Sequence, residues 1–110
     1  MLTDHDEILS IHLSSGLSGT LNSAHLAKEK LKKRIHIVDS KNISLGTGLM
    51  VMEAAQYISE GWAIPRILEK LSTARKNIET LFTLNTLEYL HKGGRIGKVS
   101  GLLGSLLKIK

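Results

Sequence analysis

The sequence changes its period within a few residues of its start, and that change limits the folds open to it. Ile8 to Leu13 is a run of apolar and β-branched residues without Gly or Pro, which reads as a strand. Ser14-Ser15-Gly16-Leu17-Ser18-Gly19-Thr20 follows, and then Leu21, Ala24, Ala27 and Leu31 recur every three or four positions, as on one face of a helix. This periodicity predicts a helix from about Ser18 to Lys33, ending in a Lys-rich turn that suits the negative end of its dipole. Arg34 to Val38 then reads as a second strand. A strand, a helix and a strand over this length form a βαβ unit, so the two strands are expected to be parallel with a right-handed crossover. The predicted class is therefore α/β with a parallel sheet.

The loop between the first strand and the helix carries chemistry of its own. In an open α/β sheet, ligands bind at the carboxyl ends of the strands. A helix N-terminus adds unpaired N–H groups and the positive end of a dipole, both of which favour an anion. The glycines let backbone approach a ligand closely, and the three serines and one threonine can donate hydrogen bonds. A small site for a carboxylate or phosphate is one reading of this loop. The other is that Ser18 or Thr20 merely caps the helix while the glycines shape the turn. Asp39-Ser40-Lys41-Asn42 follows the second strand and belongs on the same edge of the sheet, either as a turn or as a second wall of that site.

Leu45 to Ile58 is apolar almost all round, which predicts a helix buried on more than one side, with Ser44 capping its start and Gly61 ending it. Met50 and Met52 lie in it as core filling or, alternatively, as the lining of a lipid tunnel. Pro65 fits the first turn of a further helix whose inner face is Ile67, Leu68, Leu71 and Ala74. Thr80 to Leu84 (Thr-Leu-Phe-Thr-Leu) mixes hydroxylic and apolar residues and is expected to be a strand with one wet face. Leu87 to Leu90 is one or two helical turns, His91 to Lys98 a Gly-rich basic loop, and Val99 to Leu107 a short apolar helix.

Several classes of function find no support. There is no cysteine, hence no disulfide and no thiolate chemistry. No apolar run reaches the roughly 18 residues of a membrane span. Asp4, Asp6 and Glu7 near the start do not read as a signal peptide, so a cytoplasmic location is the expectation. The net charge of +5 resides from Lys92 onward, in Lys92, Arg95, Lys98, Lys108 and Lys110. Such a tail is either a solvated face or a meeting point for an anionic membrane surface, an acidic partner or nucleic acid. The few scattered aromatics argue against a nucleic-acid partner, which is retained only as the second alternative. Gly16-Leu17-Ser18-Gly19 lacks the spacing of a nucleophile elbow, and Gly93-Gly94-Arg95-Ile96-Gly97-Lys98 lacks that of a phosphate-binding P-loop. The five histidines show no metal-ligand pattern, so neither a metal nor catalysis by this chain is expected.

Four segments taken in order are more specific than any one of them. Ser14 to Thr20, Val38-Asp39-Ser40, Leu87-Glu88-Tyr89-Leu90-His91-Lys92-Gly93-Gly94-Arg95-Ile96 and Leu106-Leu107-Lys108-Ile109-Lys110 resemble the DegV family over nearly the whole chain. The resemblance implies a bacterial cytoplasmic protein that binds one long-chain fatty acid and needs no other cofactor. It implies the fatty-acid-binding subunit of a fatty acid kinase, not itself an enzyme, which presents the lipid carboxylate to a separate kinase subunit. Ser18 matches the family's carboxylate-binding Ser, and Arg95 matches the Gly-Gly-Arg arginine near the head group. Ser14, Ser15, Gly19 and Thr20 are further candidates for lining the site. Family members are longer, so the expectation is a central fragment: residues 1–78 as part of the first, α/β domain, and residues 79–110 as the opening of a second, α+β domain. An interaction or oligomerisation fragment without lipid, self-associating through Leu102, Leu103, Leu106 and Leu107, is the first alternative.

Overall fold

The computed structural model describes residues 7–31 and 33–98. The expected helix from Val99 to Leu107, the Leu-rich C-terminus and Lys108 to Lys110 lie outside the described residues.

Two strands, β1 (Ile8–His12) and β2 (Ile35–Asp39), pair in parallel, with Ile8 opposite Ile35 and His12 opposite Asp39. Between them runs α1 (Thr20–Lys30), which packs against β2. It starts two residues later than the periodicity suggests. The N–H groups of Leu17 and Ser18 bond back to the Ser14 carbonyl at 3.0 and 3.1 Å, forming a separate turn first. The fold is thus mixed α/β built on a parallel sheet, as the strand–helix–strand pattern predicts.

Two helices cover one face of the sheet. They are α2 (Ser44–Ser59) and α3 (Ile64–Asn77). Met50 and Ala54 of α2 and Ile67 and Leu71 of α3 are buried together, with Leu9, Ile11 and Val38 of the sheet packed against them. Leu9 and Ile11 share a face because alternate residues of a strand do, and the parallel register adds Val38 to it. The turn between the helices closes at Gly61, whose φ of +76° is the left-handed conformation that glycine adopts without strain. Pro65 stands in the first turn of α3, where its missing N–H costs nothing. Beside the turn, Tyr57 stacks on Trp62 with ring centroids 4.5 Å apart, and the Arg66 guanidinium lies 3.7 Å from the centre of the Trp62 ring.

Three expectations need correction. α2 is buried on one face, not several. Gly46, Met50 and Ala54 point inward at four-residue spacing, whereas Leu45, Leu49 and Met52 are mostly exposed. An all-round apolar helix reports only what it could bury, and the described residues supply cover for one side. Ser44 is the first helical residue rather than the cap, and the cap position is Ile43, which makes no side-chain cap bond. Thr80 to Leu84 forms no strand. A segment becomes a strand only where a neighbouring strand takes its N–H and C=O groups, and the described sheet contains only β1 and β2.

The chain divides into two compact units at Thr80 and Leu81. The second unit's described part holds α4 (Glu88–Lys92), followed by a turn through Gly94 at φ +68° and helical residues 96–98. Among the described residues no helix is long and apolar enough to cross a membrane.

Candidate functional site

The parallel register brings the loops after β1 and β2 to one edge, and backbone bonds tie them together there. The Ser40 N–H donates to the His12 carbonyl at 2.9 Å, and the Ser14 N–H donates to the Asn42 carbonyl at 2.8 Å. Beneath them lies a buried polar layer. Ser14, Ser40 and Asn42 are almost fully enclosed, at 1%, 0% and 9% exposure. Each has partners, as buried polar groups require. Ser40 Oγ bonds to the Asn42 carbonyl and N–H and to Thr47 Oγ1, and Thr80 Oγ1 donates to Asn42 Oδ1 at 2.9 Å.

The four hydroxyls of the Ser14–Thr20 loop fall into two groups. Ser14 and Ser15 serve the fold. Ser14 Oγ accepts from the Gly16 N–H at 3.2 Å, and its carbonyl holds the turn at Leu17 and Ser18. Ser15 Oγ donates to Asp39 at 2.5 Å. Ser18 and Thr20 stand at the beginning of α1. Their hydroxyls bond to each other at 2.7 Å, and Ser18 Oγ accepts the Thr20 N–H at 3.2 Å. Ser18 therefore does part of a cap's work from one position before the cap, which is Gly19 and makes no side-chain bond. A hydroxyl pair of this kind can turn outward, because each oxygen has one proton and spare lone pairs.

Gly19 matters for the space beside it. Its φ of −77° suits any residue, and a Cβ placed there would meet nothing within 4 Å. The backbone at the start of α1 is therefore open to a ligand, and the first-turn N–H groups lack intrahelical acceptors. Gly46, at the start of α2, is the opposite case. A Cβ there would collide with Thr80 Oγ1 and come within 2.8 Å of Asn42 Oδ1, so this glycine is a packing requirement.

Asp39 and Lys41 are the charged pair of the edge. Asp39 is the centre of its hydrogen bonds. It receives hydrogen bonds from Ser15 Oγ, the Ser15 N–H at 3.3 Å and the Lys41 N–H at 2.9 Å, and it pairs with Lys41 Nζ at 2.9 Å. Partial burial opposes its ionisation. The donors from Ser15 and Lys41 outweigh that and hold its carboxyl down from the usual 3.8 to about 2. The sequence marked this loop as a possible wall of the site without singling out Asp39. Its partner Ser15 lies 24 positions away, and only the parallel pairing brings the two together.

Arg95 belongs to the second unit. There it is exposed, and its Nη1 donates to the Gly93 carbonyl at 2.6 Å, bracing its own loop. Among the described residues no cluster of three or more His, Asp or Glu could hold a metal ion.

The whole sequence, residues 1–110, matches the family model described as uncharacterised proteins of the DegV family. A DegV domain-containing protein of Staphylococcus aureus is 44% identical over 107 residues, which is 97% of this chain and 38% of that protein. Among solved structures, a DegV family protein from Thermus thermophilus, described for its fatty acid binding, superposes with a TM-score of 0.77 at 40% identity. It covers 94% of this chain, and 37% of that protein is matched. A DegV-family protein from Ruminococcus gnavus, refined with vaccenic acid, gives a TM-score of 0.76 at 30% identity over 86% of this chain and 36% of its own. The chain thus spans a little over a third of the length of these relatives.

Proposed function

Because this chain belongs to the DegV family, we propose that it contributes the carboxylate end of a long-chain fatty-acid site. The observation that carries the reading is the start of α1. Two adjacent hydroxyls, Ser18 and Thr20, stand beside open space at Gly19 on the carboxyl edge of a parallel sheet. A carboxylate has the charge and the acceptor oxygens such a place favours. The Thermus thermophilus relative binds fatty acid and the Ruminococcus gnavus relative was refined with vaccenic acid, which supplies the ligand class.

In this reading Ser18 Oγ bonds to the carboxylate, Thr20 and the Gly19 backbone assist, and Ser14 and Ser15 keep the loop in shape. Arg95 is a second candidate carboxylate ligand, on its match to the family's Gly-Gly-Arg segment alone. Residues 1–78 serve as part of a first domain and residues 79–110 as the opening of a second. The role is binding in the cytoplasm, with the carboxylate handed to a separate kinase subunit, and not catalysis by this chain. Replacing Ser18 by Ala removes a hydrogen bond to a charged group, worth about 1.5–3 kcal/mol, so affinity for a fatty acid such as oleate should fall roughly tenfold or more. Native mass spectrometry and titration of both chains measure this. Equal retention of oleate by the Ser18→Ala chain refutes the assignment.

A second reading draws on the outer side of α2. Leu45, Leu49 and Met52 recur at helical spacing and are 80%, 55% and 71% exposed. An apolar stripe of this kind suits association with another protein surface. Oligomers that grow with concentration in lipid-free protein would favour it.

A further inference from the structure

We propose that Asp39 is the positioning residue of this edge, holding the Ser14–Thr20 loop in its ligand-ready shape through Ser15, with Lys41 as its counter-charge. The inference rests on the reading of the edge as a carboxylate site, and it gives that site a device for keeping its shape. Both donors of Ser15, the N–H and the hydroxyl, converge on the one carboxylate, and Lys41 adds both its N–H and its ammonium. Lys41 Nζ also reaches Ser15 Oγ at 3.2 Å, so the three side chains form a closed ring of hydrogen bonds.

Three features make this ring more than a surface ion pair. Its partners Ser15 and Lys41 are themselves exposed, whereas the Asp39 side chain is only 13% exposed. It is clamped from behind as well, because Arg75 Nη1 of α3 donates to the Asp39 carbonyl at 3.2 Å. Lys41 adopts a φ of +55°, a conformation uncommon outside glycine, and in it both of its donors meet Asp39. Such a conformation persists where its surroundings hold it, and here those surroundings are the ring itself.

The charge arrangement follows from what the site is to accept. A bare carboxylate beside a carboxylate-binding loop would repel the ligand. Paired with Lys41, Asp39 can use strong charge-assisted bonds on Ser15 while leaving the edge near neutral. Asp39 does not touch the ligand in this scheme. It acts through Ser15, whose neighbours Ser14, Leu17 and Ser18 share the same turn.

The first test uses the lipid-free chain labelled with nitrogen-15 and reads amide hydrogen exchange residue by residue. Asp39→Asn should raise exchange at Ser15, Leu17 and Ser18 by tenfold or more, while the β1–β2 ladder keeps its protection. Ser15→Ala, at an exposed position, should reproduce the loosening, and Ser15→Thr, which keeps the hydroxyl, should not. Lys41→Asn tolerates the left-handed backbone but removes the charge. It should raise the midpoint at which the Asp39 carboxyl carbon titrates. Unchanged loop exchange in both Asp39→Asn and Ser15→Ala overturns the positioning role, and an unmoved Asp39 titration in Lys41→Asn overturns the counter-charge. Oleate titration is a separate arm. If the loop responds as expected and the unsubstituted chain takes up no oleate, the brace stands and the fatty-acid reading of this chain falls.

Discussion

Gly19→Ala separates a glycine kept for its fold from one kept for a ligand. At φ −77° and ψ −1° the backbone lies in a region open to every residue, and the added methyl meets nothing within 4 Å. Two small terms act on stability. Alanine restricts the unfolded chain more than glycine does, which favours folding by about 0.4–1 kcal/mol. Alanine is also a poorer residue than glycine at a helix cap, which offsets part of that gain. The net change in folding free energy should lie within about 1 kcal/mol of zero. Binding is affected quite differently. In the proposed site, the methyl would occupy the open space at the start of α1 where the carboxylate is placed. Loss of one hydrogen bond to a charged acceptor costs about 1.5–3 kcal/mol, or roughly tenfold to more than a hundredfold in Kd. Urea unfolding followed by circular dichroism gives the first quantity, and calorimetric titration with oleate gives the second. A Gly19→Ala chain as stable as its parent that binds oleate equally well shows that the open space is not the ligand's. A chain that loses several kcal/mol of stability shows that the glycine serves the fold.

Met50→Ala and Met52→Ala compare one side chain in two environments on one helix. Met50 is fully enclosed and should cost about 2–5 kcal/mol in urea titrations, whereas Met52, 71% exposed, should change stability by less than about 0.5 kcal/mol. Similar losses at both positions would contradict the one-sided burial of α2. Gly46→Ala should destabilise by about 1–3 kcal/mol, because Thr80 and Asn42 must move for the methyl, and thermal melts would register it. The Asp39 carboxyl is lowered from 3.8 to about 2, so its contribution is complete above the unfolded value. It is lost as pH falls through about 4 toward 2, to the extent of at most about 2 kcal/mol. Acid titration of stability should show that loss in the parent and not in Asp39→Asn, and identical curves would remove Asp39 as its source.

The strand–loop–helix–strand core was legible because each element announces its own period. Ile8 to Leu13 has no helical repeat, Leu21 and Ala24 do, and Ile35 to Val38 returns to β-branched residues. The division of labour among the loop hydroxyls was not legible. Nothing local distinguishes Ser14 and Ser15 from Ser18 and Thr20. What distinguishes them is Asn42 and Asp39, which arrive from the far side of α1. The outer face of α2 misled for a related reason. Leu45, Leu49 and Met52 state a preference for burial, and whether it is met depends on atoms elsewhere. The segment Thr80-Leu81-Phe82-Thr83-Leu84 mixes hydroxylic and apolar residues without strict alternation, and among the described residues no strand pairs with it.

The parallel register has a consequence for synthesis. Ile8 pairs with Ile35, so β1 cannot close a hairpin on β2 and meets it only after the loop and helix between them have been made. At translation rates of about 5–20 residues per second, its match follows about one to five seconds later. For that interval the amides of Ile8 to His12 that face β2 lack their β2 partners. The helix between them is therefore also a delay line, and a codon change that slows translation between Thr20 and Lys30 would lengthen exposure without altering one atom of the finished protein.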